Sequence, residues 1–71
     1  MWIRSQDKRI LVNANLIYLN NLFDDKVISA NNEINKVDLG NYKSKERALE
    51  VLDDLQSKII IGNIVYQMPE E

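Results

Sequence analysis

The stretch Leu39-Gly40-Asn41-Tyr42-Lys43-Ser44-Lys45-Glu46-Arg47-Ala48-Leu49-Glu50-Val51-Leu52 is where the hydrophobic period changes from two to the helical spacing of about 3.6 residues. Upstream of Ser44, Lys36 to Tyr42 reads as a strand with Val37 and Leu39 on its inner face. Downstream, Ala48, Leu52, Leu55 and Ile59 fall on one stripe at i, i+4, i+7 and i+11, with Val51 beside it. Ser44 is a good N-cap, and Glu46 puts a carboxylate in the first turn, where the helix dipole favours it. Asp54 and Lys58 add a favourable i, i+4 pair. Gly62 fits the position that ends a helix, and Asn63 continues the turn. The join therefore predicts a strand that feeds a helix over about 44–61.

The segments on either side of this join are extended. Trp2 to Gln6 reads as a short strand and Gln6-Asp7-Lys8 as a polar turn. Ile10, Val12, Ala14, Leu16 and Tyr18 then alternate with Leu11, Asn13, Asn15, Ile17 and Leu19. That pattern describes either one long strand or two short ones kinked near Asn13 to Asn15. Asn20-Asn21 and Asp24-Asp25 are turn chemistry, because these side chains bond nearby backbone groups and tolerate positive φ. Lys26 to Ala30 is the return strand of a hairpin, and Asn31-Asn32-Glu33 is another turn. A short strand over 64–68 follows the helix, and residues 69–71 form a solvated tail. The expected fold class is α+β: a small antiparallel β-meander of four to five strands with one amphipathic helix packed on one face, all in a single domain over 1–71.

At 71 residues there is room for one domain. The absence of Cys excludes a disulfide framework, a thiolate zinc site and a Cys nucleophile, and the absence of His removes the commonest general base and metal ligand. A net charge of −2 argues against wholesale phosphate binding, so nucleic acid is an unfavoured partner. No apolar run approaches the roughly 18 to 20 residues that span a bilayer. Met1-Trp2-Ile3-Arg4 lacks the basic and then apolar pattern of a secretory signal, so a cytoplasmic protein is expected. Small chains without disulfides or metals often gain stability by oligomerising. Leu16-Ile17-Tyr18-Leu19 and Leu22-Phe23 put bulky apolar groups on both faces of the first hairpin. A single helix covers one face only. Either a second copy covers the other, with Ile17, Leu19 and Phe23 at the interface, or a strongly curled sheet buries both itself.

Trp2, Arg4 and Gln6 share one face of the first strand by their period-two spacing. A nucleotide clamp would use Trp2 for stacking, Arg4 for phosphate pairing and Gln6 for hydrogen bonds, with Asn13 and Asn15 extending it across a neighbouring strand. The same residue types dominate protein interfaces, and Trp2 could equally be a core or interface residue with Arg4 over its ring. The carboxylates Glu50, Asp53 and Asp54, and the pair Asp24-Asp25, match no calcium loop. Adjacent helix positions point about 100° apart, so these acids read as a solvated face and no metal site is expected. Lys43, Lys45 and Arg47, and Arg4, Lys8 and Arg9, form two small basic clusters interrupted by Asp7, Glu46 and Glu50. They read as solubilising charge.

The opening Met1-Trp2-Ile3-Arg4-Ser5-Gln6-Asp7, the strand end Leu39-Gly40-Asn41-Tyr42, the helix Ser44 to Leu52 and the stretch Val65-Tyr66-Gln67-Met68-Pro69 together resemble a set of small uncharacterised proteins of phages, prophages and mobile elements of Gram-positive bacteria. The resemblance implies a genomic setting and no activity, cofactor or site residue. A looser likeness links Leu39-Gly40-Asn41-Tyr42-Lys43-Ser44-Lys45-Glu46-Arg47-Ala48 to the last strand and helix of three-stranded DNA-binding domains of the AP2 and integrase-arm type. The expectation is a non-catalytic, cofactor-free, homo-oligomeric binding protein with an anti-defence role, inhibiting a host defence protein or sequestering a small nucleotide signal. The alternatives are a small DNA-binding regulator and a structural or accessory phage protein.

Overall fold

The computed structural model describes residues 1–62 and 64–71, so the turn expected at Asn63 lies outside the described residues. Among those residues there are six strands and one α-helix: β1 (Trp2–Arg4), β2 (Leu11–Asn13), β3 (Leu16–Asn20), β4 (Val27–Asn31), β5 (Lys36–Asn41), α1 (Lys45–Ile60) and β6 (Val65–Gln67). A single 3-10 turn, Asn21–Phe23, joins β3 to the loop before β4. The α+β class and the meander-plus-helix architecture are as the sequence predicts, with the strands divided between two sheets of three. One has the order β2-β1-β6 and the other β3-β4-β5.

The division falls at Asn13 to Asn15, where the two-strand alternative holds. Val12 and Ala14 point into the core, and the next inward residues are Ile17 and Leu19. The inward phase thus slips by one residue as the chain leaves one sheet for the other. A one-residue slip moves every later side chain to the opposite face, which is how both halves of an apparently two-sided apolar segment reach the interior.

Local chemistry sets the turns. Ser5 is buried, its amide donates to Ile10 O at 2.8 Å, and its hydroxyl donates to Asp7 Oδ1 at 2.6 Å. Lys8 closes that turn with φ 67°, and Asp24 and Asp25 carry φ 55° and 58° in the loop before β4. β5 bulges at Leu39: Asp38 faces Ser29 while Gly40 faces Ile28. Across this sheet the buried Asn20 Nδ2 donates to Ser29 Oγ at 3.2 Å, and Ser29 donates to Asp38 Oδ1 at 2.7 Å. One hydrogen-bonded row therefore crosses β3, β4 and β5, and among the described residues it leaves no buried side-chain polar atom in it unpaired, which burial demands.

Helix α1 starts where Ser44 accepts from the Arg47 amide at 3.1 Å, and Gly62 follows its end at φ 83°. Ala48, Val51 and Leu55 are its buried stripe, while Leu52 is half-buried and Ile59 exposed. The helix packs on β3 and β4. β6 runs parallel to β1, in the register Trp2 to Val65, Ile3 to Tyr66 and Arg4 to Gln67. Ile3, Val12 and Tyr66 then face inward together and close a core that also holds Ile28, Ala30, Leu39 and Met68. No helix among the described residues is long and apolar enough to cross a membrane.

Candidate functional site

Because β1, β2 and β6 each bury their central residue, their flanking residues share the outer face of the sheet. Two rows result. Trp2 lies between Asn13 and Val65, and Arg4 between Leu11 and Gln67. Trp2 is 44% exposed, Leu11 54% and Val65 47%, so an indole and two aliphatic groups stand open to solvent on three adjacent strands. Ile64, which precedes β6, is more exposed still.

Of the residues singled out from sequence, Trp2, Arg4 and Asn13 come together on this face. The Trp2 indole makes no hydrogen bond among the described residues. Arg4 Nε donates to Lys8 O at 3.0 Å, which ties the guanidinium stem to the first turn. Asn13 Oδ1 accepts from the Met1 amine at 3.1 Å. Asn15 lies past the end of β2, where it lines a shallow depression with Asn13, Asn32, Glu33 and Ile34.

Gln6 is elsewhere. Its amide donates to Leu39 O at 2.7 Å, its Oε1 accepts from Asn41 N at 2.9 Å, and its Nε2 donates to Asn41 O at 3.1 Å and Glu70 O at 2.7 Å. The side chain thereby pairs with β5 as a neighbouring strand would, and staples the two sheets to residues 69–71. No periodicity signals this role, because it depends on β5 arriving beside the first turn.

Ile17 and Leu19 are half-buried against the core, in register with the buried Ala30 and Ile28. Ile17 also lines a cleft with the exposed Leu16 and with Leu52, Leu55 and Ile59 of α1. Phe23 is 51% exposed at the mouth of a second cleft with Gln6, Asp7, Val27 and Gly40. Trp2, Leu11 and Val65 form an open apolar patch on three paired strands, while Leu16, Leu22, Ile34, Ile60 and Ile61 are exposed elsewhere. Leu11 was legible as a member of it, since it alternates with the inward Val12. Val65 was not, because the pairing of β6 with β1 has no local signature.

The acids are spread among structural partners. Tyr66 donates to Asp54 Oδ2 at 2.7 Å, which, with Lys58 at 3.4 Å, holds the Asp54 carboxyl below its usual 3.8. Burial, followed by that carboxylate, pushes the Tyr66 phenol well above its usual range. Asp7 is likewise lowered, first by the Ser5 hydroxyl and then by the Arg9 amide. Asp25 pairs with Lys45 at 3.6 Å. Among the described residues no three His, Cys, Asp or Glu side chains converge as a metal site would require. Comparison with protein-family models, with curated proteins and with solved structures finds no match to this chain.

Proposed function

We propose that this chain is a non-catalytic binding protein whose working surface is the outer face of β2-β1-β6. The observation that carries this reading is Trp2, without a hydrogen-bond partner at 44% exposure, with the exposed Val65 beside it on β6 and the exposed Leu11 diagonal to it on β2. Exposed aromatic and Arg side chains ringed by apolar groups are the composition of protein-interface hot spots, where burial of one indole can dominate the affinity. A protein partner suits the face better than a nucleotide does. The clamp needs Gln6, whose amide is already committed to Asn41 and Glu70. The setting implied by the resemblance to phage and mobile-element proteins supports a host defence protein as the target and the bacterial cytoplasm as the place of action.

The test is site-specific photo-crosslinking in host cells, with benzoylphenylalanine in place of Leu11 and, as the control, in place of the exposed Ser57 on α1. A defined host polypeptide captured from position 11, absent from position 57 and lost when Trp2→Lys is added to a chain that keeps its circular dichroism spectrum, is the expected result. Equal capture from both positions sinks the proposal. Capture of a second copy alone assigns the face to self-association and overturns the host-target reading.

A further inference from the structure

Residues 69–71 lie along a groove whose donors take three consecutive main-chain oxygens. Tyr42 OH donates to Pro69 O at 2.9 Å, Gln6 Nε2 to Glu70 O at 2.7 Å, and Arg47 Nε to Glu71 O at 2.8 Å. The three donors come from three separate places: the end of β5, the first turn and the first turns of α1. Each is held in position independently of the tail. Gln6 is pinned by both backbone groups of Asn41. Tyr42 is buried, and its amide donates to Lys26 O at 2.8 Å. The Arg47 guanidinium lies 6.0 Å from the Tyr42 ring centroid, within the range of a cation–π contact.

These contacts read peptide backbone and leave the side chains of Glu70 and Glu71 outside, where Glu70 meets only Lys8 at 3.5 Å. Main-chain hydrogen bonds of this kind are how extended peptides bind to folded domains, with the rim supplying selectivity. The rim is basic: Lys8, Lys43 and Arg47 surround the tail, and Lys43 makes no ion pair or hydrogen bond among the described residues. The tail also leaves space, since a cleft of about 410 Å³ continues beside it between Asn41, Tyr42, Lys43 and Arg47. The solvated tail read from the sequence is thus exposed in its Glu70 and Glu71 side chains but held by its main-chain oxygens.

We infer that this groove is a docking site for an extended acidic segment of a protein partner, kept occupied in the isolated chain by residues 69–71 as an intramolecular competitor. The tail is the template for the occupant: an extended, acidic, Pro-led peptide that satisfies the same three donors. A tethered competitor acts at an effective concentration of about a millimolar, so a free peptide must reach that range to displace it. This site is separate from the Trp2 face and stands or falls without it.

The experiment is a titration of the full chain, labelled with 15N, by acetyl-Pro-Glu-Glu and by acetyl-Pro-Lys-Lys. The acidic peptide should shift the Gln6 side-chain amide and Arg47 Nε–H resonances while the chain's own Glu70 and Glu71 amides move to unstructured positions. Pro69→Gly loosens the intramolecular tail and should tighten peptide binding roughly threefold or more. No shift at Gln6 and Arg47 up to several millimolar in both chains overturns the inference, and so does an equal response to the Lys-Lys peptide. Tail resonances that move with protein concentration, accompanied by a doubled mass in light scattering, assign the groove to a second copy's tail and overturn the partner reading. If Pro69→Gly loses the dispersed spectrum, the wild-type titration alone decides.

Discussion

A Cβ placed on Gly40 would stand 2.9 Å from the Tyr42 hydroxyl oxygen and 3.0 Å from its Cε2. The hydroxyl end of the ring lies against this position because nothing projects from it, and the buried ring has little room to swing away. Tyr42 also carries the bond to Pro69 and the face on which Arg47 rests, so one missing methyl group sets the geometry of the tail groove. Gly40→Ala should lower stability by about 1 to 3 kcal/mol through overpacking, read as a shift in the urea midpoint. In the same variant the Tyr42 phenol, which burial raises to about 12, should titrate closer to its ordinary 10.0, followed by ultraviolet absorbance. A titration that does not move would mean the ring tolerates the extra carbon in place. Other residues at this scale were readable in advance. Asp24 and Asp25 adopt the left-handed conformation for which their side chains are suited, and Ser44 caps the helix it precedes. Gln6 was not readable, because an amide that imitates a strand is defined by what comes to lie beside it.

Elements were legible to the extent that their signals are local. The switch at Ser44 located α1 to within a residue, since a cap, an acidic first turn and an apolar stripe all lie in the segment itself. The hairpins followed from their asparagine and aspartate turns. The slip of phase between Ala14 and Ile17 and the parallel docking of β6 on β1 were hidden for the opposite reason. They are pairings between segments far apart in the chain, and period-two patterns are the same for any partner. What fastens β6 is partly side-chain chemistry: Tyr66 reaches from the sheet to Asp54 on α1. Tyr66→Phe keeps the buried ring and deletes that bond. It should lower the urea midpoint only modestly, because the Asp54 carboxylate is exposed and solvent takes over part of the lost bond. The Asp54 carboxyl should also return toward 3.8 by NMR titration. A loss of stability with no change at Asp54 would show that the ring's packing, and not the hydrogen bond, was disturbed.

At the scale of the whole molecule, the titrating groups with shifted affinities lie at the two ends of the pH range. Asp7 and Asp54 are held below 3.8 in the folded chain. A carboxyl whose folded value is depressed binds its proton more readily when unfolded. Its contribution is therefore present above about pH 4 and lost as the pH falls through the folded values. Tyr42 and Tyr66 are raised above 10.0. An unfolded phenol gives up its proton first, so that contribution is whole below about pH 10 and disappears as the pH climbs toward 12. The chain has no histidine and no cysteine, so no side chain of the usual kind changes charge between these limits. The urea midpoint at constant ionic strength should accordingly be flat from about pH 5 to pH 9 and fall on both sides. Tyr66→Phe should soften both edges at once, because it removes one of the two raised phenols and the donor that depresses Asp54. A midpoint that instead slopes steadily through neutrality would place the controlling electrostatics in the net charge of the surface rather than in these four hydrogen-bonded or buried groups.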